Sequence, residues 1–161
     1  MALTTGSTIP KLEVTTKTSE GLDLIDTQAY FAGRKIIVFS VPGAFTATCS
    51  EKHLPGYVKH YDQFKSAGID AIACLAVNDA HVMLAWAEQK QADGLIDLLA
   101  DSRAVFSDEL GLTTDMGPVL GIRASRSALI IENGVITNFF KEAPKAFEVS
   151  DAESLLAIVS G

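Results

Sequence analysis

Short runs of consecutive apolar residues alternate along the chain with segments in which apolar and polar positions mix. Continuous apolar runs of strand length predict strands that are buried on both faces of a sheet. The clearest is Lys35–Ser40, and the mostly apolar segments Ile69–Val77 and Ile96–Ala100 predict two more central strands. A shorter stretch near Leu12–Thr15 predicts one more strand, which follows a polar and loose arm formed by residues 1–11. The pattern therefore predicts a sheet with a buried centre.

The segments between these runs carry helix start and stop signals. Asp, Asn and Ser accept hydrogen bonds from the first free N–H groups of a helix, and Gly follows the end of many helices. On these signals we predict a short helix between Asp26 and Gly33, a long helix from near Thr48 to about Ala67 with a kink or restart at Pro55, a helix over about Ala80–Gln91 capped by Asn78 or Asp79, and a turn of helix at Asp108–Leu110 capped by Ser107.

The last part of the chain has a hairpin signal followed by a helix signal. Asn133-Gly134, a pair favoured in tight hairpin turns, separates the apolar segments Ala128–Glu132 and Val135–Phe140. The spacing of a capping box at Ser150–Glu153 predicts a C-terminal helix. The order of elements predicts an α/β fold, a central mixed β-sheet flanked by helices, and it resembles the thioredoxin-like arrangement. We expect residues 1–161 to form a single domain.

The charge of the chain limits the classes of partner. The chain has 13 basic and 20 acidic residues, which give a formal net charge of -7 at pH 7. An acidic surface repels phosphate backbones and anionic lipids, so we expect neither nucleic acid nor a membrane as a partner. No basic segment followed by an apolar one begins the chain, which predicts a cytoplasmic protein; a form that has lost a targeting peptide would have the same pattern.

Cysteine and histidine are few and scattered. Cys49 and Cys74 are the two cysteines of the chain, too few for a disulfide-rich secreted scaffold, and they form no C-x-x-C pair. The three histidines, His53, His60 and His81, do not have the spacing of a zinc site. We therefore expect no zinc site.

Cys49 lies where a predicted buried strand leads into a predicted helix. Free backbone N–H groups and the helix dipole favour a thiolate there. An ordinary cysteine of pKa ~8.5 is about 3% thiolate at pH 7, and lowering that pKa by ~2.5 units takes about 3.4 kcal/mol. A helix terminus supplies about 0.3–1 kcal/mol, and about 2 at most, so a reactive Cys49 needs a second positive group, most simply an arginine. From its position alone, Cys49 is equally compatible with an inert small residue.

The residues around Cys49 add a motif to this position. The run from Pro42 to Ser50 is Pro-Gly-Ala-Phe-Thr-Ala-Thr-Cys-Ser, which contains Pro42-x-x-x-Thr46-x-x-Cys49. It resembles the motif of the peroxiredoxins, and with His53-Leu-Pro-Gly-Tyr57 it resembles their type II (peroxiredoxin-five) subfamily. The similarity also includes Val77-Asn-Asp79, Ala85-Trp86, Ser125-Arg126 and Phe147–Ala152, so it extends over nearly the whole chain.

The resemblance implies a role for each matching residue. Cys49 would be the peroxidatic cysteine, which attacks one peroxide oxygen and becomes a sulfenic acid. Thr46 would hydrogen-bond the thiolate and orient the peroxide, and Pro42 would cover the site against water. Arg126 would lower the pKa of Cys49 and stabilise charge on the leaving oxygen. Arg123 is the alternative partner, and we prefer Arg126 because it adjoins the predicted strand as in the family.

Two positions beside this set have open roles. His53 lies one turn after Cys49 on the same helical face, where it either tunes the thiolate or, as we expect, is a solvated residue. Cys74 is either a resolving cysteine, as in plant type II members, or a small residue of a buried strand. A disulfide needs Cα atoms within about 7 Å, so a Cys49–Cys74 bond requires local unfolding; the alternative is attack on the sulfenic acid by an external thiol.

The resemblance also implies an activity and partners, and it implies that no metal, haem or other cofactor is needed, because the O–O bond that is cleaved is weak. We expect a thiol-dependent peroxidase for hydrogen peroxide and alkyl hydroperoxides, recycled by glutathione with glutaredoxin or by thioredoxin, and a homodimer. His81 and Ser127 replace aromatic residues that are usual in the family, which bears on the dimer contact and on the packing around Arg126, respectively. The alternatives are a peroxide sensor or redox relay that oxidises a partner protein, and a binding module without catalysis, against which the complete motif argues.

Overall fold

The centre of the fold is a mixed sheet of seven strands, seen in a computed structural model that describes residues 2–47 and 52–161. In chain order the strands are β1 (Glu13–Thr18), β2 (Gly21–Asp26), β3 (Lys35–Ser40), β4 (Ala71–Ala76), β5 (Asp97–Ala100), β6 (Thr113–Asp115), β7 (Ile122–Ala124), β8 (Ser127–Glu132) and β9 (Val135–Lys141). The order in the sheet is β2-β1-β5-β4-β3-β8-β9, and β6 pairs with β7 in a separate small sheet.

The predicted α/β class is confirmed, because helices cover both faces of the large sheet. They are α1 (Thr27–Phe31), α2 (Leu54–Lys59), α3 (Tyr61–Ser66), α4 (Ala80–Gln89), α5 (Val105–Glu109), α6 (Gly117–Leu120) and α7 (Ala152–Ser160). Buried side chains of α2, α3, α4 and α7 join the core on one face, and those of α1 and α5 join it on the other. Within the described ranges, no helix is long and apolar enough to cross a membrane.

The three mostly apolar segments form the middle of the sheet, as predicted. Strand β4 lies parallel to both β3 and β5. Side chains of a strand alternate between faces, so Ile37 and Phe39 join one core while Ile36 and Val38 join the other. All four are fully buried, which explains why the run of β3 shows no alternation of polar and apolar residues.

The pairing of β3 with β8 determines where the site forms. The two strands are antiparallel, and Ser40 at the end of β3 lies opposite Ser127 at the start of β8. The Ser40 and Ser127 hydroxyl oxygens are 2.6 Å apart, and the Ser40 hydroxyl also donates to the Ser125 carbonyl at 2.6 Å. This register brings the chain just before β8 beside the loop that follows β3.

The predicted helix caps are partly confirmed. Asp26 caps α1 by accepting from two backbone N–H groups, and Asp79 caps α4 by accepting from one. The cap at Ser107 was wrong, since Ser107 lies inside α5 and its N–H and hydroxyl both donate to the buried Asp101 carboxylate. The cap of α7 is Asp151 and not Ser150, whose hydroxyl donates to Glu142 instead.

The N-terminal arm is another correction. Residues 2–11 are not loose, because their backbone bonds to the β8–β9 hairpin. The Ile9 N–H donates to the Gly134 carbonyl at 2.8 Å, and the Gly6 N–H donates to the Ile136 carbonyl at 2.7 Å. Ile9 itself is only 1% exposed. The arm thus contributes an apolar residue to the core, which its polar composition does not indicate.

The long helix predicted after Cys49 is divided. Its expected start near Thr48 lies outside the described residues. Beyond that point the chain forms α2 and α3, which meet at His60. Pro55 lies in the first turn of α2, where a missing N–H breaks no helical hydrogen bond, in agreement with the predicted restart.

Candidate active site

The loop after β3 is fastened to the rest of the fold by Arg123. Its guanidinium donates to the carbonyls of Pro42 at 3.4 Å, Val77 at 3.2 Å and Leu120 at 2.7 Å. Gly43 is buried beneath this group, and a Cβ atom added there would lie 2.8 Å from Arg123 Nη1. A side chain at position 43 would therefore force the Arg123 guanidinium to move, which favours glycine there.

Thr46 closes the same loop into a turn. Its hydroxyl donates to the Gly43 carbonyl at 2.8 Å, and its N–H donates to the same oxygen at 3.4 Å. Phe45 adopts a left-handed φ of 66°, which the turn imposes on a residue other than glycine. Pro42 and Thr46 thereby both line one cleft at the carboxyl end of β3.

Arg126 lines this cleft from the opposite strand. It precedes β8, so the register with β3 brings it beside the loop that carries Pro42 and Thr46. Its Nη1 donates to Nδ1 of His53 at 2.8 Å, and its guanidinium carbon lies 5.8 Å from the centre of the Phe147 ring. Ser127, the departure expected to affect this packing, is fully buried and bonded to Ser40.

His53 is buried and not solvated, which corrects the prediction. Its side chain is fully buried, and Phe39 and Phe147 lie 4.8 and 5.0 Å from its ring centre. A guanidinium only donates, so Nδ1 accepts from Arg126, and Nε2 must carry the proton that it donates to the Ser150 carbonyl at 3.0 Å. Burial, together with the charge of Arg126, lowers the pKa of His53 to about 3. His53 is therefore a neutral imidazole with one tautomer.

The loop between β9 and α7 supplies the other side of this arrangement. The Ser150 carbonyl accepts a second hydrogen bond, from the Tyr57 hydroxyl at 2.7 Å. Burial raises the pKa of Tyr57, so that its hydroxyl stays a donor. The Glu142 carboxylate holds the same loop through several backbone N–H groups. Sequence reasoning missed Glu142, which belongs to no motif, and the Ser150 carbonyl, because a backbone group leaves no signal in the sequence.

The cleft between these elements has a volume of about 680 Å³. Beyond Pro42, Thr46 and Arg126, apolar and small side chains form much of its wall. Those contributed by α6, by the turn before it and by the loop after β9 include Met116, Leu120, Ala143, Pro144 and Ala146. Cys49 lies outside the described residues, but Ala47, two positions before it, also lines the cleft.

Cys74 and the remaining histidines lie in different surroundings. Cys74 is fully buried in β4, opposite Phe39 of β3, within the core cluster beneath α2. His81 is exposed, and its Nδ1 lies 3.1 Å from Nζ of Lys17. His60 lies beside Gln63 and Glu153. In the part of the chain that the structure covers, no group of His, Cys, Asp or Glu is arranged to hold a metal ion.

A family model described as Redoxin matches residues 4–156 of the chain. The chain therefore belongs to the redoxin family. Within it, the chain is 44% identical over 128 residues to the chloroplastic peroxiredoxin-2E of Arabidopsis thaliana, covering 78% of this chain and 55% of that protein. It is 38% identical over 143 residues to a peroxiredoxin of Synechocystis, covering 84% and 75% of the two chains.

A solved structure agrees with this assignment. Reduced Prx3 of Vibrio vulnificus, in complex with hydrogen peroxide, superposes with a TM-score of 0.94 at 47% identity and covers 98% of this chain and 99% of its own. The similarities make the chain a type II peroxiredoxin, as the motif around Cys49 indicated. The chain spans just over half the length of the Arabidopsis relative.

Proposed function

We propose that this protein reduces peroxides through Cys49. The Cys49 thiolate attacks one oxygen of the peroxide, the O–O bond breaks, and the other oxygen leaves as hydroxide or alkoxide and takes a proton from water. The products are a sulfenic acid on Cys49 and water or an alcohol. The observation that supports this most is that Pro42, Thr46 and Arg126 line one cleft. Ala47, two positions before Cys49, lines the same cleft.

Arg126 is proposed to supply the positive charge that a reactive Cys49 requires. A unit charge about 4 Å from a thiolate is worth about 4 kcal/mol at an effective dielectric constant of about 20. That exceeds the roughly 3.4 kcal/mol needed to lower a thiol pKa by ~2.5 units. The same guanidinium would stabilise the leaving oxygen, where negative charge develops during the reaction.

Thr46 and Pro42 are proposed to orient the peroxide and to limit water at the site. While the Thr46 hydroxyl donates to the Gly43 carbonyl, its lone pairs can accept a hydrogen bond from the O–H of a peroxide. The Thr46 hydroxyl also turns to donate to the thiolate when the peroxide is absent. Pro42 has no N–H to offer, and its ring would shield the sulfenic acid from water.

Alkyl hydroperoxides are the proposed substrates in addition to hydrogen peroxide. The cleft of about 680 Å³ is far larger than hydrogen peroxide requires, and its wall beyond Arg126 includes Met116, Leu120 and Pro144. An organic side chain on the peroxide would bury apolar area against that wall, at about 25 cal/mol per Å². We expect cumene hydroperoxide to be reduced at a rate within an order of magnitude of that of hydrogen peroxide.

An external thiol is the proposed reductant, and Cys74 is proposed to remain a buried thiol. Cys74 is fully buried between β3 and β5, and bringing it to Cys49 would require the central sheet to open. Mass analysis after one equivalent of peroxide, followed by glutathione, should give a glutathione adduct on Cys49 with Cys74 unmodified. A Cys49–Cys74 disulfide would contradict this part of the proposal.

The cytoplasm is the proposed compartment. It contains reduced glutathione, which fits reduction of Cys49 by an external thiol.

A homodimer is proposed as the assembly, and residues 1–161 are proposed to be one domain. Phe45, Val119 and Ile122 are 52%, 89% and 53% exposed, and Arg123 links the loop of Phe45 to the segment of the other two. Exposed apolar side chains that cluster often mark an interface. Light scattering should give twice the monomer mass at micromolar concentration, and Val119→Asp should lower it. A wild-type monomer would contradict the proposal.

The peroxidase proposal is tested by peroxide consumption with dithiothreitol as reductant. Wild-type protein should consume hydrogen peroxide through many turnovers. Cys49→Ser should consume none above background while its circular dichroism spectrum is unchanged, and Cys74→Ser should keep the wild-type rate. Normal turnover by Cys49→Ser would show that the nucleophile is another group.

A further inference from the structure

Glu142, at the end of β9, holds the loop that leads into α7. Its carboxylate accepts from the N–H groups of Glu148 at 2.8 Å, Val149 at 2.9 Å and Ser150 at 2.8 Å, and from the Ser150 hydroxyl at 2.7 Å. Partial burial acts to raise the pKa of Glu142, but these hydrogen bonds outweigh it and the pKa lies below its ordinary value. Glu142 is therefore an anion around which the loop is folded.

The loop in turn fixes one carbonyl group. Ser150, which gives Glu142 two of its hydrogen bonds, is fully buried. The Ser150 carbonyl accepts from Nε2 of His53 at 3.0 Å and from the Tyr57 hydroxyl at 2.7 Å. Because the backbone of Ser150 is held on its N–H side by Glu142, the position of its carbonyl depends on that carboxylate.

The carbonyl in turn selects the state of His53. A hydrogen bond from Nε2–H to a carbonyl leaves Nδ1 unprotonated, and Nδ1 is then the acceptor that Arg126 uses at 2.8 Å. With the proton on Nδ1 instead, the ring and the guanidinium would face each other with two donors. Only one tautomer and one ring orientation therefore support the guanidinium.

We propose that Glu142 is a positioning residue for Arg126, and that it acts through the Ser150 carbonyl and the His53 imidazole. This inference rests on the proposed function, in which Arg126 stabilises the Cys49 thiolate. Without the carboxylate the loop loses its acceptor, the imidazole loses its fixed partner, and the guanidinium spends less time in the orientation that serves the cleft. Glu142 itself need not touch the peroxide.

The sign of one measurement separates positioning from direct electrostatics. A carboxylate near a thiol raises the pKa of the thiol, because like charges disfavour ionisation. Direct removal of the Glu142 charge would therefore lower the pKa of Cys49. Loss of positioning would raise the pKa of Cys49, because an Arg126 side chain that is held less firmly stabilises the thiolate less. A role in loop stability alone would lower the melting temperature and leave the thiol pKa where it was.

The test compares Glu142→Gln with the matched control Glu153→Gln, which neutralises a side chain that is 78% exposed on α7. The pH dependence of iodoacetamide alkylation at Cys49 would be followed by peptide mass. We expect Glu142→Gln to raise the pKa of Cys49 by about one unit and to slow peroxide reduction by about tenfold, and the control to change neither. An unchanged or lowered thiol pKa in Glu142→Gln would overturn the proposal.

A double-mutant cycle tests the route through His53. His53→Phe keeps an aromatic ring but removes the acceptor of Arg126, and His53→Leu, which also has no acceptor, replaces it if the first variant is unfolded by circular dichroism. If Glu142 acts through this side chain, adding Glu142→Gln to the His53 variant should not slow the reaction further. Full additivity would overturn the route. Failure of the peroxidase proposal is recognised separately, by turnover in Cys49→Ser.

Discussion

Arg123 and Arg126 lie three positions apart, yet their guanidinium groups have different surroundings. Arg123 donates to backbone carbonyls, among them those of Pro42 and Val77, and so connects separate segments of chain. Arg126 donates to the neutral ring of His53 and lines the cleft. One arginine connects the loop that carries the site to neighbouring segments, and the other lines the cleft.

The difference shows why two neighbouring residues of one type are not interchangeable. Arg123 lies in β7 of the small sheet, whereas Arg126 lies in the bend before β8 of the large sheet, so the two side chains leave the backbone in different settings. Carbonyl oxygens satisfy the donors of Arg123 at the backbone. The Arg126 guanidinium donates to the neutral ring of His53 and lines the cleft itself. The preference for Arg126 over Arg123 as the partner of Cys49 therefore stays a prediction, now with a physical reason.

The largest effect is expected from Arg126→Ala. Removing a charge that stabilises the thiolate and the leaving oxygen should slow peroxide reduction by about 100-fold, or about 2.7 kcal/mol. Stopped-flow measurement of the second-order rate constant checks this, with Arg126→Lys as a control that keeps the charge but not the planar donor group. If the rate constant of Arg126→Ala were within threefold of the wild-type value, Arg126 would not be the residue that stabilises the thiolate.

Arg123→Ala should act on stability and not on the thiol. The Pro42 and Val77 carbonyls lose a donor, which costs about 2 kcal/mol in the free energy of unfolding. Urea denaturation measures that loss, and alkylation should give an unchanged pKa for Cys49. If this variant raised the thiol pKa as much as Arg126→Ala does, the two roles would have been assigned to the wrong residues.

The state of His53 predicts a pH effect on stability. Its pKa is about 3 in the fold and about 6.5 in the unfolded chain, so below pH 6.5 the unfolded chain binds a proton that the folded one does not. The free energy of unfolding that His53 contributes therefore decreases as the pH is lowered, by about 2 kcal/mol from pH 7 to pH 5. His53→Gln should lack that component in urea denaturation at the two pH values. An equal fall in both proteins would mean that His53 is protonated in the fold.

The smallest effect concerns the contact between Gly43 and Arg123. Gly43→Ala would place a methyl group where Arg123 Nη1 now lies, at a cost of about 1 kcal/mol as the arginine moves. In an Arg123→Ala background the same substitution should cost nothing, because the space is then free. Thermal denaturation of the four proteins measures the coupling, and equal costs in both backgrounds would exclude this contact as the reason for glycine.

The parts of the fold that follow from local sequence were predictable. The apolar runs of β3 and β4, the Asn133-Gly134 turn, and the caps at Asp26 and Asp79 depend on residues close together in the chain. Strand β2 was missed because its apolar positions face outward at the edge of the sheet, where Leu22 and Leu24 are 60% and 61% exposed. The small sheet of β6 and β7 was missed because its strands are only three residues each.

The residues of the site also divide into those that a local motif predicts and those that depend on distant parts of the chain. The motif indicated Pro42, Thr46 and Arg126, and the structure brings these three to one cleft. The burial of His53 was not predictable from its helix, because it depends on Ser150, which is 97 positions away. The loop held by Glu142 left no signal either, since most of its donors are backbone N–H groups that any residue provides.

The most direct test of the account is a single-turnover trapping experiment. Reduced protein would receive one equivalent of hydrogen peroxide in the presence of dimedone, which reacts with sulfenic acids, and the two cysteine-containing peptides would be analysed by mass. The account predicts a dimedone adduct on Cys49 and an unmodified Cys74, with formation of the adduct slowed about 100-fold in Arg126→Ala. An adduct on Cys74, or an undiminished rate without Arg126, would contradict it.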